Sequence, residues 1–357
     1  MRKSRALALT SIVALAAATG IAYAAETLTV VSWGGAYTKS QIEAYHKPFT
    51  KKTGVVINSV DYNGGLAEVR AQVESGNVTW DVIDVELSDA IRGCDEGLFT
   101  PIDPSILPPA PDGTPAEEDF IEGAIQECAV ANIVWSTVYA YRTDLVGDKA
   151  PSTIGDFFDL KTWPGKRGMR RTPKVNLEFA LMADGVPTSE VYKVLGTPEG
   201  VDRAFAKLDE IKDQVIWWEA GAQPPQLLAD GEVLMSTAYN GRLFNAIYNE
   251  KQPLEIVWDG QVYDLDLFAV LKGAPNEKRA LEFVAFATDT ERLARQADWI
   301  SYGPARKSSM KYVKPDILPH LPTAPENFKN PLQNDFEFWA DNQDELNERF
   351  NTWLAAN

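Results

Sequence analysis

The order of its first segments constrains the fold of this chain more than any other feature. The apolar run TLTVVSW is followed by TKSQIEAYHKPFTKKTG, in which Ile42, Tyr45 and Phe49 recur at helical spacing and Gly54 supplies a stop. VVINSVDY has the pattern of a second strand, GLAEVRAQVESG that of a second helix closed by Gly76, and WDVIDVEL that of a third strand. SDAIRGCDEG then opens a helix with Ser88 or Asp89 as its cap. Such alternation predicts an α/β lobe with a mainly parallel sheet and right-handed crossovers. A chain of 357 residues is too long for one small core, so two lobes are expected.

The remaining segments fit that division. A proline-rich stretch, PIDPSILPPAPDGTP, reads as a surface loop. The long β-rich run AVANIVWSTVYAYR is the candidate for leaving the first lobe, and STIGDFFDLKTWPGKRGMR begins the second. EIVWDGQVYDLDLFAVLKG reads as two strand-like runs broken at Asp259-Gly260 that return to the first lobe. NDFEFWADNQDELNERFNTWLAAN reads as a closing helix. The expected partition is 25–137 with 262–325 for lobe one, and 138–261 with 326–357 for lobe two.

The amino terminus carries Arg2, Lys3 and Arg5, then an apolar run, then Ala22-Tyr23-Ala24. This is the pattern of a cleavable export signal over residues 1–24. A membrane anchor is the competing reading, and the run is short for one. The net charge is −17. Without the three basic residues of the leader it is roughly −20, which disfavours nucleic acid and anionic lipid as partners. The cysteines are two, Cys94 and Cys128. In an exported protein such a pair points to a disulfide, worth roughly 3–4 kcal/mol for a loop of this length in the chain-entropy model. Metal binding would need further ligands, and His46 and His320 are remote in sequence.

Several stretches together resemble a known family. VVSWGGAYT, FTKKTGVVINSVDYNG, WDVIDVELSDAIRGCDEGLFTPID, LKTWPGKRG, GEVLMSTAYNGR, YDLDLFAVLKGA, ISYGPARK and PLQNDFEFW are similar, in order, to the periplasmic solute-binding proteins of ABC importers, nearest the spermidine/putrescine-binding branch. The resemblance implies two α/β lobes joined by two crossover strands, a ligand cleft between them, hinge closure, and a tail helix from about Asn334 that packs on the second lobe. It also implies a monomeric receptor in the periplasm that binds a small amine and delivers it to an inner-membrane permease. No cofactor, metal or catalytic group is then needed.

The same resemblance assigns candidate ligand residues one at a time. Trp33 and Tyr37 lie where the first strand ends, with Gly34-Gly35 between them; the aromatics offer faces to an alkylammonium and the glycines allow close backbone approach, unless both rings only fill the interlobe core. Glu86 and Ser88 stand where the third strand ends, at amine-contacting places, although Glu86 has the alternative of a solvated strand-end charge. Tyr239 stands beside the aliphatic chain of the ligand. Asp264 and Asp266 are the stronger acidic candidates, since a carboxylate on an apolar strand is costly without a partner. Gln333 corresponds to a ligand donor, and Tyr302 borders or buttresses the cleft.

The polyamine pattern is broken in two places. Thr172 and Val175, with Arg170 and Arg171 upstream, stand near where that branch has acidic residues. Arg242, in YNGR, has the two-pronged geometry that grips a carboxylate, or is an ordinary surface arginine. If it faces the cleft, an ω-amino acid such as γ-aminobutyrate fits better than a diamine. The enzyme alternative is a secreted glycoside hydrolase built on paired carboxylates. No nucleotide-binding, zinc-protease or nucleophile-elbow fingerprint appears in a fitting context.

Overall fold

A computed structural model describes residues 26–356. The expected leader over residues 1–24 lies outside them. Ten strands form one continuous twisted sheet: β1 Thr27–Ser32, β2 Val56–Asp61, β3 Val82–Glu86, β4 Ala129–Arg142, β5 Arg167–Arg170, β6 Val215–Trp218, β7 Met235–Tyr239, β8 Leu254–Val270, β9 Gly303–Pro304 and β10 Leu332–Gln333. The order is β2-β1-β3-β8-β4-β7-β5-β6, with β10 beside β8 and β9 beside β4. β1, β2 and β3 are parallel, as the strand–helix alternation requires, and so are β5, β6 and β7. β8 runs antiparallel to β3, β4 runs antiparallel to β7, and β4 and β8 run antiparallel to each other.

β4 and β8 are the two crossovers. They pair along most of their length, from Ala129 with Ala269 to Arg142 with Leu254, and so carry the chain between lobes twice. The break expected at Asp259-Gly260 is a bulge within one strand: pairing runs from Thr137 with Val262 directly to Tyr139 with Val257. Gly260 turns there with φ +69°, and Asp259 accepts from the backbone N–H of Ile154 at 3.0 Å. The bulge thereby ties the hinge to the start of the second lobe.

Each lobe has its own apolar core. The first packs Leu28, Val30, Val82 and Ile83 against Phe268 and Phe283. The second packs Phe157, Met169, Leu177 and Phe179 against Trp339 and Phe350. Trp339 and Phe350 come from the closing helix Phe336–Ala355, which Asp335 caps by accepting from Phe338 N at 2.9 Å. That helix also reaches the first lobe, where Asp344 pairs with Arg92 on the helix Leu87–Asp95 at 2.9 Å. The disulfide Cys94–Cys128 joins the end of that helix to the start of β4, its Cα atoms 5.7 Å apart. No helix among the described residues is long and apolar enough to cross a membrane.

Candidate functional site

A small third cluster lies between the two cores: Tyr37, Ile133, Trp135, Ile300 and Tyr302, with Trp33, Ala36 and Tyr239 packed against it. It surrounds a small cavity lined by Trp33, Tyr37, Glu86, Trp135, Tyr239, Arg242, Asp266 and Tyr302. The carboxyl ends of β1, β3 and β7 converge on it, where an open α/β sheet places its ligands.

The aromatic walls hold one another at edges. Tyr37 meets Tyr302 at 5.5 Å between ring centroids, and Trp135 meets Tyr239 at 5.2 Å, both near perpendicular. Trp33 leans on Tyr62 at 4.7 Å. The Tyr37 hydroxyl turns away from the cavity and donates to Asp84 at 2.8 Å, leaving its ring as the exposed surface. Such rings offer both apolar contact and cation–π attraction to an alkylammonium.

Of the two carboxyl groups that line the cavity, Glu86 and Asp266, Asp266 is the one without a cation beside it. Its Oδ1 accepts from Trp135 Nε1 at 2.8 Å, and among the described residues no lysine or arginine forms an ion pair with it. Burial, then the charges of Asp84, Glu86 and Asp264, pushes its carboxyl well above the ordinary range, against the restraint of the Trp135 bond. Asp84 behind it is likewise raised by burial, to about 7, despite bonds from Tyr37, Asn132 and Gln41. A cationic guest would remove this penalty.

Glu86 behaves oppositely. Lys174 Nζ lies 2.8 Å from its Oε2 and Arg170 Nη1 lies 3.3 Å from its Oε1. Burial would raise its pKa, but those two cations outweigh burial and lower it. Glu86 is therefore already neutralised within the protein. Ser88 is buried and accepts from the same Lys174 ammonium at 2.8 Å, outside the cavity lining. Asp264 is also behind the wall: its Oδ1 accepts from Leu265 N at 2.7 Å and its Oδ2 lies 3.7 Å from Lys174. Burial raises Asp264 to about 7, with Lys174 opposing.

Arg242 does face the cavity. It is buried, and its Nη1 and Nη2 donate to the carbonyls of Gly34 at 3.0 Å and Trp33 at 2.8 Å, across the interlobe gap. Its Nε–H is buried without a hydrogen-bond partner in the protein. The glycines of the WGG turn thus serve a different purpose from the expected one. Gly34 adopts φ +72° and presents its carbonyl to Arg242; a Cβ on Gly35 would come within 3.0 Å of Arg242 Nη1. They admit an arginine from the opposite lobe.

Gln333 does not reach the cavity. It is exposed on β10, where its Oε1 accepts from the Tyr263 hydroxyl at 3.1 Å. Gln333 pairs with Tyr263, and alternation along β8 sends Tyr263 to the face opposite Asp264 and Asp266. Of the nine candidates the structure brings Trp33, Tyr37, Glu86, Tyr239, Arg242 and Asp266 together around the cavity. Sequence reasoning missed Trp135 and Lys174. Trp135 sits inside the crossover run, opposite Asp264 in register, so its alternation with Ile133 was the available signal. Nothing in the local sequence marks Lys174.

Comparison with known proteins agrees with this architecture. A model of the bacterial extracellular solute-binding proteins matches residues 44–323. The chain is 46% identical over 342 residues to the γ-aminobutyric acid-binding protein of Pseudomonas aeruginosa, covering 94% of this chain and 95% of that one. The periplasmic binding protein MotA of A. tumefaciens B6, solved in complex with glucopine, superposes with a TM-score of 0.85 at 31% identity, covering 92% of this chain and 99% of that one. A solved GABA receptor superposes with a TM-score of 0.80 at 31% identity, covering 93% and 98%. The likeness extends over the two-lobed fold.

Proposed function

The chain belongs to the bacterial extracellular solute-binding proteins, the capture component of ABC importers, and on that premise we propose that its solute is a short ω-amino acid, with γ-aminobutyrate the leading candidate. The observation that carries this reading is the pairing within one small cavity of a buried carboxylate that has no cation and a buried guanidinium that keeps an unpartnered N–H. Asp266 takes the ammonium. Arg242 takes the carboxylate, using a donor left over after it has gripped the backbone of the opposite lobe. Trp33, Tyr37, Trp135, Tyr239 and Tyr302 cover the methylenes between. The 46% identical γ-aminobutyric acid-binding protein supports the same choice.

In this reading 25–137 with 262–325 form one lobe and 138–261 with 326–357 the other. Ligand closes them by completing a charge pattern that bridges both. The receptor is a monomer, leaves its solute chemically unchanged, and releases it to a membrane permease. Residues 1–24 direct it to the periplasm, and its acidic surface keeps it from nucleic acid.

Calorimetric titration with γ-aminobutyrate, 1-aminobutane, butyrate and 1,4-diaminobutane tests the assignment. γ-Aminobutyrate should bind far more tightly than either monofunctional analogue, because each of those leaves one buried charge unmatched. Equal affinity for 1,4-diaminobutane would reject the carboxylate role of Arg242.

A further inference from the structure

Lys174 presents its ammonium to a niche built for one. The side chain is 6% exposed, and its Nζ is held by Glu86 at 2.8 Å, Ser88 at 2.8 Å and, more distantly, Asp264 at 3.7 Å. Those three acceptors sit on β3, on the helix that follows it, and on crossover β8, whereas Lys174 comes from the second lobe. The backbone at its side is strained: Val175, β-branched, adopts φ +71°. The Asn176 amide holds that bend by donating to the carbonyls of Arg170 and Thr172, both at 2.7 Å. The loop is therefore shaped to deliver this one side chain.

The niche adjoins the ligand cavity. Glu86 is the register partner of Asp266 on neighbouring antiparallel strands, so the two carboxylates project on one face with Cβ atoms roughly 4.5–5.5 Å apart. Like charges so placed repel unless each has a cation. A second small void, lined in part by Lys174 and Arg170, shares Glu86, Trp135 and Tyr239 with the cavity as a common wall. Two adjacent anionic positions thus exist. One is filled by the protein and the other faces the guest.

Resting on the ω-amino acid reading, we infer that Lys174 is a built-in surrogate for a second ligand ammonium, and that by filling the Glu86–Ser88–Asp264 niche it restricts the receptor to guests with a single cationic end. A diamine could satisfy Asp266 with one ammonium, but its other would find the niche occupied and Arg242 at the far wall. Removing the lysine side chain opens a dicationic site whose two anionic positions stand side by side on neighbouring strands.

The test uses the full mature receptor and its Lys174→Ala and Lys174→Met variants, titrated with 1,4-diaminobutane and γ-aminobutyrate. The parent should show little or no diamine binding. Lys174→Ala should bind 1,4-diaminobutane at least ten-fold more tightly than the parent. Lys174→Met, which keeps the space filled but drops the charge, should gain much less. A folded Lys174→Ala protein with unchanged diamine affinity overturns the inference, as does a parent that binds the diamine as well as γ-aminobutyrate. Should Lys174→Ala fail to fold alone, refolding is compared in 1,4-diaminobutane and in 1-aminobutane at equal charge. Recovery in the diamine only supports the niche, and recovery in neither rejects it. A parent that ignores γ-aminobutyrate while Lys174→Ala gains the diamine would reject the ω-amino acid assignment and leave the role of Lys174 intact.

Discussion

Glu86 and Asp266 stand opposite each other across two adjacent antiparallel strands, and the protein supplies cations to Glu86 alone. The imbalance is energetic as well as geometric. Glu86 is stabilised as an anion by Lys174 and Arg170, while Asp266 is held in an environment that resists ionisation. An incoming ammonium converts the second carboxylate to the condition of the first.

Asp266→Asn should therefore weaken ligand binding by about 2–5 kcal/mol, the range for truncating one partner of a buried charge pair. The ligand-free variant should melt close to the parent, because the amide oxygen can still accept from Trp135 Nε1 and the parent carboxyl is itself held toward its neutral form. Titration calorimetry and a circular dichroism melt check the two halves separately.

Arg242→Met should discriminate between ligands. Affinity for γ-aminobutyrate should fall at least a hundred-fold, whereas affinity for 1-aminobutane should change far less, since that ligand has no carboxylate for the guanidinium to hold. A uniform loss for both ligands would mean that Arg242 acts only through the carbonyls of Trp33 and Gly34.

Binding should release protons. Burial and the charges of Asp84, Glu86 and Asp264 raise the Asp266 carboxyl in the ligand-free protein, and an ammonium guest favours its ionised form, so binding is linked to loss of its proton. Affinity should then climb as pH rises through that raised pKa, by up to about ten-fold per pH unit for one linked proton. Calorimetry in buffers of different ionisation enthalpy counts the protons directly.

The ligand-free protein should gain stability as pH falls from 8 to 6.5. Asp84 and Asp264 titrate near 7 when folded and near 4 when unfolded, so in this window the native state binds the extra protons and acidification favours it. Buried His46, lowered to about 4, acts in the opposite sense, but only below its unfolded value of roughly 6.5. Saturating γ-aminobutyrate should flatten the slope. Melting temperature against pH, with and without ligand, measures both effects.

Replacing Cys94 and Cys128 together by alanine should lower unfolding free energy by roughly 3–4 kcal/mol in the chain-entropy model. Ligand affinity should stay close to that of the parent, since the bridge lies within the first lobe, away from the cavity. Denaturant titration and calorimetry on the same preparation give the two numbers.

Much of this was legible in the chain itself, for reasons that differ by residue. The crossover run AVANIVWSTVYAYR corresponds to β4 end to end, because a strand buried on both faces leaves a long, mostly apolar signature that Asn132, Ser136 and Thr137 interrupt without ending. Gly54 ends its helix at φ +80°, as a left-handed stop should. Asp266 was readable because a carboxylate within an apolar strand demands a reason. Gln333 was not, because its face depends on which residue of β8 it meets across the sheet, and that register is a tertiary fact. Lys174 was hidden for a similar reason. Its partners Glu86, Ser88 and Asp264 lie almost 90 residues away in sequence and are brought to it only when the lobes meet. β5 escaped notice because its four residues, Arg167–Arg170, carry two arginines and a glycine; it is a strand through its neighbours β6 and β7 rather than through its composition.

Arg242 crosses the gap through a slot between two residues that lack side chains. A methyl on Gly221 would meet its Nε and the Tyr239 ring at 2.8 Å, as one on Gly35 would crowd its Nη1. The guanidinium thus has room only because two hydrogens stand where carbons normally would. A single added carbon at position 221 would push the guanidinium and the Tyr239 ring from their seats, so one hydrogen on the second lobe fixes where two of the groups that meet the guest can stand.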